Sequence, residues 1–98
     1  MTAFFVSRIR VKSQDKLQEY AQSAGPTVRA HQGKVVLQGA KSNTLLGDEA
    51  GDHITAIAEF PSLDVLNAWF DSPEYQALTD LRDQAGDAQI VTYEVPTP

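Results

Sequence analysis

The alternation of apolar and polar positions along the chain predicts four strands and two helical regions. Four segments are rich in β-branched and aromatic residues and are bounded by turn residues, which is typical of strands: 3–11, 34–38, 54–60 and 89–95. Between the first two strands, and again between the last two, apolar residues recur at helical spacing. The predicted order of elements is therefore β-α-β-β-α-β.

The first helical region is predicted to begin after Ser13, whose hydroxyl can cap a helix. Its apolar face follows the i, i+3, i+4, i+7 spacing and comprises Leu17, Tyr20, Ala21 and Ala24. The pair Gly25-Pro26 predicts an interruption, after which Pro26 begins a second piece that runs to residue 30. Gly33 then marks the end of the helical region.

The second helical region is predicted in two parts that meet at Ser72-Pro73-Glu74. Ser62 caps the first part, whose apolar face carries Leu66, Trp69 and Phe70. At the junction, Ser72 provides a new cap and Pro73 fits the first helical position. The second part is expected to continue as one helix to Gly86, a natural residue to follow a helix.

This order of elements predicts an α+β fold of the ferredoxin-like, split βαβ type, with residues 1–98 forming a single domain. We expect a four-stranded antiparallel sheet with strand order 4-1-3-2 and both helical regions on one face. The opposite face would remain partly apolar, since it would carry Phe4, Val6, Thr55 and Ile57. Soluble monomers avoid such exposed faces. A homodimer, with a second copy laid sheet to sheet, is therefore expected.

Charge and composition exclude several classes of partner. The chain has 13 acidic and 8 basic residues, a net charge of −5 and no basic cluster. Binding to nucleic acid or to an anionic membrane depends on Lys and Arg, so neither partner is expected. The chain has no cysteine, which excludes disulfides and thiolate sites, and no segment long enough to cross a membrane. We expect a soluble, unprocessed, cytoplasmic protein.

Arg8 and Glu59 are candidate site residues because both lie on predicted central strands among apolar neighbours. Charges buried inside a dimeric barrel must be paired. If the first and third strands are neighbours, the two side chains would meet there. The pair would either anchor an acidic or carbonyl ligand or form a structural ion pair that fixes the register or the dimer.

Three further candidates lie near helix ends. His31 follows the first helical region, where it either caps the helix or serves as a general base. Trp69 and Tyr75 flank the break at Ser72, where amphipathic aromatics either line a ligand pocket or belong to the core. His31 and His53 are 22 positions apart and show no metal-binding pattern. We therefore expect no metal and no cofactor.

The chain resembles a known family at several points: Phe60-Pro61-Ser62, Trp69, Ser72-Pro73-Glu74-Tyr75-Gln76-Ala77 and Leu81-Arg82. These residues are similar to the family called domain of unknown function 1330. The resemblance implies the dimeric α/β-barrel superfamily and a homodimer. Two departures are visible. Gln32-Gly33 keeps one of the two usual glycines, and Leu46-Gly47, with Asp48 and Glu49 beyond it, replaces a Glu-Gly pair.

Three functions are consistent with these features. The first is binding of a small, mostly apolar molecule between sheet and helices. The alternative is a cofactor-free enzyme, of monooxygenase or isomerase type, acting on an activated aromatic or carbonyl compound. The third is a structural or regulatory dimer without a ligand. Any ligand site is expected near the break at Ser72 and not in the loop 39–52, which contains no aromatic residue.

Overall fold

The computed structural model describes residues 1–47 and 51–96, in which four antiparallel strands form one sheet with helices on one face. The strands are β1 (Thr2–Val11), β2 (Lys34–Ala40), β3 (Ile54–Phe60) and β4 (Gly86–Val95), and the helices are α1 (Gln14–Ala30), α2 (Leu63–Asp71), α3 (Pro73–Gln76) and α4 (Thr79–Ala85). The strand order β2-β3-β1-β4 is the predicted 4-1-3-2 order read from the other edge, which confirms the ferredoxin-like α+β fold.

Serine side chains cap the helices where the sequence predicts them. Ser13 Oγ accepts a hydrogen bond from the backbone N–H of Lys16 at 3.3 Å, and Ser62 Oγ accepts one from Val65 N–H at 3.2 Å. Ser72 Oγ accepts from the N–H of Tyr75 at 3.3 Å. Each hydroxyl satisfies a backbone donor that has no partner within its helix. The three predicted helix starts are confirmed.

The predicted interruption at Gly25-Pro26 is wrong, since α1 continues through Pro26 to Ala30. A proline inside a helix removes one backbone hydrogen bond and normally kinks or ends the helix. Here tertiary contacts hold the last turn in place. Val28 is buried against the core, and Thr27 Oγ1 accepts a hydrogen bond from Trp69 Nε1 at 3.0 Å. These contacts offset the hydrogen bond that Pro26 cannot make.

The single helix predicted from Pro73 to Gly86 is also wrong, because α3 ends at Gln76 and α4 begins at Thr79. Gly86 has extended backbone and begins β4, three residues before the predicted start of that strand. A Cβ at Gly86 would overlap the carbonyl of Arg10 on the neighbouring strand. The glycine is needed for this close approach and not as a left-handed helix end.

Aromatic rings form the centre of the layer between sheet and helices. Trp69 lies flat on Phe5 at a centroid distance of 4.9 Å and contacts Phe60 at 5.7 Å. Among the side chains that are almost completely buried, the largest are those of Trp69, Tyr75, Phe60 and Leu66. The core therefore joins β1 and β3 to α2 and α3.

The opposite face of the sheet carries apolar residues and has no layer over it in the protomer. Val6 lies opposite Ile57 on β3 and Val91 on β4. Leu37 and Tyr93 lie on the same face and are 51% and 54% exposed. The part of the chain that the structure describes thus places helices on one side of the sheet alone, as the sequence predicts.

Candidate functional site

A cavity of about 100 Å³ lies between α1 and the sheet. Its walls are mainly apolar and include Phe5, Val28, Trp69 and Ile90. Small residues of α1, such as Ala21, leave the space open by providing little side-chain volume. Its volume and its mainly apolar walls suit a small apolar group.

An open groove of about 340 Å³ lies on the other side of Trp69, between α2 and the edge strand β4. Leu66, Trp69 and Phe70 supply its apolar surface, and Arg82 and Thr92 supply polar groups. A recess of about 30 Å³ adjoins both spaces, since Tyr20 lines the recess and the cavity and Arg82 lines the recess and the groove. Ile90 lines all three spaces, so they are neighbouring parts of one candidate site along β4.

Three polar side chains converge at this recess. Tyr20 Oη and Tyr75 Oη share a hydrogen bond of 2.9 Å, in which either can donate. Arg82 Nη1 donates to Tyr75 Oη at 3.2 Å, and Arg82 Nε donates to Asp83 Oδ1 at 3.2 Å. Tyr20 and Arg82 border the recess, while Tyr75 lies behind them. Tyr75 therefore holds the other two in position and is fully buried.

Tyr20 and Arg82 keep their protons over the physiological range. Burial raises the pKa of Tyr20 well above that of a free phenol, and the neighbouring Tyr75 raises it further. Burial alone would lower the pKa of Arg82, but its hydrogen bonds to Tyr75 and Asp83 outweigh this effect and raise the pKa. The recess therefore presents a neutral phenol and a guanidinium cation.

Of the predicted site residues, Trp69 lines the site and Tyr75 supports it from behind. Trp69 borders both the cavity and the groove, yet it is only 2% exposed, so the core and pocket interpretations of this residue both apply. Tyr75 borders none of the three spaces among the described residues, but it positions Tyr20 and Arg82. The break at Ser72 is what allows Tyr75 to turn inward beneath Trp69, at a centroid distance of 4.4 Å.

His31 lies near the same helix break but faces away from the cavity. Its Nδ1 is 3.0 Å from the carbonyl oxygen of Thr27, which can only accept, so Nδ1 carries a proton. Its Nε2 is 3.8 Å from a carboxylate oxygen of Glu74, which is largely exposed. The contact joins the end of α1 to the start of α3. His31 thus stabilises a helix junction and does not reach the apolar site.

Arg8 and Glu59 do not meet within the protomer. The register places Arg8 opposite Thr55 and Glu59 opposite Phe4, four residues apart along the ladder, or about 13 Å. Both lie on the open face of the sheet, so an ion pair between them would require two different chains. Asp48 and Glu49, the loop acids noted in the sequence, lie outside the described residues.

The sequence indicated Tyr20 as part of the inner face of α1 but did not identify it, or Arg82, as a site residue. A signal for Arg82 was present, since it follows Tyr75 by seven positions, two helical turns, on the face predicted to be inward.

Among residues 1–47 and 51–96, no helix is long and apolar enough to cross a membrane. The same residues include no cluster of His and acidic side chains that would hold a metal ion.

Solved structures share this fold over almost the whole chain. A protein of unknown function from Rhodopseudomonas palustris, RPA0582, is 26% identical, with a TM-score of 0.73 over 99% of this chain and 84% of that one. SnoaB, a cofactor-independent oxygenase from Streptomyces nogalater, is 12% identical, with a TM-score of 0.70 over 99% and 95%. A dimeric ferredoxin-like protein of unknown function from Thermobifida fusca is 20% identical, with a TM-score of 0.65 over 97% and 92%.

At these low identities, SnoaB and the Thermobifida protein show a common fold and nothing finer. No functionally curated protein matches the chain in sequence. One family does match, over residues 2–95, and its description is Domain of unknown function (DUF1330).

Proposed function

This chain belongs to the family Domain of unknown function (DUF1330), and from that premise we propose that it binds a small, mostly apolar molecule between its sheet and its helices. The observation that carries the proposal is the pair of neighbouring, mainly apolar spaces on either side of Trp69, with Tyr20 and Arg82 at the recess that adjoins both. Small-molecule sites typically combine apolar walls with a few fixed polar groups. The ligand enters by the open groove and directs one apolar group into the cavity.

The first experiment is native mass spectrometry of freshly purified protein, which shows the oligomer and any co-purifying compound. The second is an NMR titration with phenylacetamide, a neutral aromatic probe. Trp69 is the only tryptophan, so its indole N–H gives a single assignable signal at the site. A concentration-dependent shift of that signal supports the proposal. A signal that moves neither with phenylacetamide nor with its carboxylate analogue phenylacetate, up to the solubility limit of each, overturns it.

Cavity-filling variants locate the ligand. Ala21→Leu fills the cavity, and Thr92→Leu fills the groove, without removing an existing contact. Each should weaken probe binding at least severalfold, because the added side chain occupies ligand space. Ala30→Leu, at an exposed position on α1, makes the same kind of change away from the site and should have no effect.

The second candidate function is a cofactor-free enzyme of monooxygenase or isomerase type. It is supported by the neutral phenol of Tyr20 and the cation of Arg82 beside an apolar space, since these groups can stabilise an enolate or phenolate. The shared fold with SnoaB makes this class available but does not select it. Conversion of a bound hydroxyaromatic compound, followed by oxygen uptake or product analysis, separates an enzyme from a binding protein.

We further propose that the protein acts as a homodimer whose protomers pack through their open sheet faces. Support comes from the exposed apolar residues Leu37, Val91 and Tyr93, and from the dimeric Thermobifida protein of the same fold. Charge complements this arrangement. Arg8 lies at one end of the face and Glu59 at the other, and the Val6–Ile57 pair lies midway between them.

A two-fold axis that crosses the strands at the Val6–Ile57 pair would exchange these two ends. Arg8 of each protomer would then face the end of the other sheet that carries Glu59. Packed sheets are about 10 Å apart, a distance that an arginine and a glutamate side chain can span together. An axis parallel to the strands would instead bring like charges together. The Arg8–Glu59 pair expected from the sequence is thus proposed as a contact between protomers.

A further inference from the structure

We infer that the ligand carries an acidic oxygen, a carboxylate or phenolate, on an apolar ring, and that Arg82 at the border of the groove and the recess binds this oxygen. The inference rests on the proposed ligand site and specifies the chemical class that the site takes. Arg82 contributes to the lining of both spaces. Arg8 also lines the recess, but among the described residues Arg82 is the cation that lines both the recess and the groove.

Arg82 has hydrogen-bonding capacity that the protein does not use. A guanidinium offers five N–H donors. Within residues 1–47 and 51–96, Nε donates to Asp83 and Nη1 donates to Tyr75, and both N–H groups of Nη2 are without a protein partner. The side chain is only 19% exposed. A largely buried cation with unused donors favours an acceptor that brings a negative charge.

Asp83 does not satisfy this requirement. Its side chain is 67% exposed, and it contacts the Nε edge of Arg82 from the solvent side. An exposed carboxylate is well screened by water, so its attraction to the guanidinium is weak. Among the described residues the Nη2 group has no partner, so its two N–H donors remain available to a ligand.

The charge around the site has the opposite sign to that of the whole chain. The protein carries a net charge of −5, yet no acidic residue of the described parts of the chain lines the groove, the cavity or the recess. A cation in an apolar, partly dry space creates a stronger local potential than one in water. The site therefore attracts a small anion that the rest of the surface repels.

Tyr20 gives the ligand oxygen a second contact. It borders the same recess as Arg82, and both are held by the hydroxyl of Tyr75. Because the phenol stays protonated, it can donate a hydrogen bond to an anion. Trp69 and Phe70 line the groove beside Arg82, where the ring of the ligand would rest.

The test compares phenylacetate with phenylacetamide, which have nearly the same shape and differ in charge. Both are titrated against the whole protein by following the Trp69 indole N–H signal. A hydrogen-bonded charge pair at a partly buried site corresponds to about tenfold or more in affinity. We therefore expect phenylacetate to bind wild type about tenfold more tightly than phenylacetamide.

Variants assign the difference to Arg82. Arg82→Gln should bring the affinity for phenylacetate down to about that for phenylacetamide, while Arg82→Lys should retain part of the advantage of phenylacetate. Arg29→Gln, an equal loss of charge at an exposed position on α1, should change neither affinity. The ligand-free spectrum of each variant shows whether it is folded. If Arg82→Gln proves unfolded, the inference is tested by the affinities of wild type and of Arg82→Lys for phenylacetate and phenylacetamide.

The outcomes separate the inference from the function on which it rests. If phenylacetamide and phenylacetate both bind wild type with equal affinity, the inference is overturned and the apolar binding site stands. The inference also fails if Arg29→Gln reduces phenylacetate binding as much as Arg82→Gln does, since the effect is then one of general charge. If neither compound moves the Trp69 signal, the proposed function itself is overturned.

Discussion

Trp69 illustrates how one side chain can belong to the core and to a candidate site together. One face of its ring lies on Phe5, and its N–H is bonded to Thr27, 42 positions away in sequence. Its remaining edges border the cavity and the groove. The apolar spacing of α2 predicted its burial, but the bond to Thr27 depends on how α1 crosses α2, which no local pattern contains.

Trp69→Ala should lower the free energy of unfolding by about 3–5 kcal/mol, because it removes a buried aromatic side chain and leaves a cavity. Phe70→Ala, next to it and 36% exposed, should cost less than half as much. Chemical denaturation of both variants measures the difference. A midpoint for Trp69→Ala close to that of wild type would show that this ring is not part of the core.

Gln32 occupies a backbone conformation that suits glycine better. Its φ is 66°, in the left-handed region, whereas Gly33 is needed because a Cβ there would overlap Phe60 and Val28. Left-handed backbone costs a residue with a side chain about 1–2 kcal/mol. The family resemblance implies two glycines at positions 32 and 33, and a glycine at position 32 would relieve this backbone strain.

Gln32→Gly is therefore expected to stabilise the protein by about 0.5–1 kcal/mol, after the greater freedom of glycine in the unfolded chain is subtracted. Gln18→Gly, in the middle of α1, should instead destabilise it by about 1 kcal/mol. Thermal and chemical denaturation of the two variants provide the comparison. Destabilisation by both would mean that position 32 is not strained.

At the scale of elements, the junction of α1, α3 and α4 is held by one polar cluster. Tyr20 of α1, Tyr75 of α3 and Arg82 of α4 are linked through a single hydroxyl. Each pair is more than six positions apart in sequence, so the cluster forms only when the helices are docked. The same contacts that fix the helices also fix the polar corner of the site.

This cluster makes stability depend on pH in the alkaline range. In the unfolded chain Tyr20 loses its proton near pH 10, whereas in the folded protein burial raises its pKa and it stays protonated. The unfolded state thus binds fewer protons above pH 10, and stability falls as pH rises, by up to about 1.4 kcal/mol per pH unit. Below pH 10 the contribution of Tyr20 to the free energy of unfolding does not change with pH.

Tyr20→Phe should therefore reduce the loss of stability above pH 10, relative to wild type. Unfolding free energies measured from pH 8 to about 11 decide the matter. Equal slopes for wild type and Tyr20→Phe would contradict the assignment.

The bounds of the elements show what local sequence can and cannot determine. β3 has its predicted bounds, and Ser13, Ser62 and Ser72 cap as expected, because alternation and capping are local effects. The error at Pro26 has the opposite cause. A local helix breaker was overridden by contacts of Thr27 and Val28 with the rest of the fold.

At the scale of the whole molecule, the protomer is a thin slab of 34 × 33 × 16 Å. One layer of helices covers one face of the sheet, and the proposed second copy would bury the apolar residues of the other face. The strand order and this open face followed from the sequence. The register, which separates Arg8 from Glu59, did not, because alternation indicates which face a residue occupies and not which partner it faces.

The dimer should be stable at micromolar concentration and bury about 2,000 Å² or more in total. Arg8→Glu and Glu59→Arg should each weaken it strongly, since loss of one partner of a buried ion pair costs about 3–5 kcal/mol. The double variant, with the charges exchanged, should recover most of the loss. Sedimentation equilibrium measures the dissociation constants.

Glu19→Arg, an exposed charge reversal on α1, serves as the control and should leave the dimer intact. Strictly additive effects of Arg8→Glu and Glu59→Arg would show that the two side chains do not meet across the interface. A wild-type protein that sediments as a monomer at micromolar concentration would refute the sheet-to-sheet dimer altogether.

The longest ladder of the sheet joins the two ends of the fold, because Thr2 lies opposite Val95 and Val11 lies opposite Gly86. Contacts of such high sequence separation slow folding, since a long stretch of chain must be ordered before they form. During synthesis, β1 can pair with β3 once residue 60 has left the ribosome, but its other edge stays unpaired until β4 follows. A chaperone that contacts this open edge of β1 would act during the interval between the synthesis of β3 and that of β4.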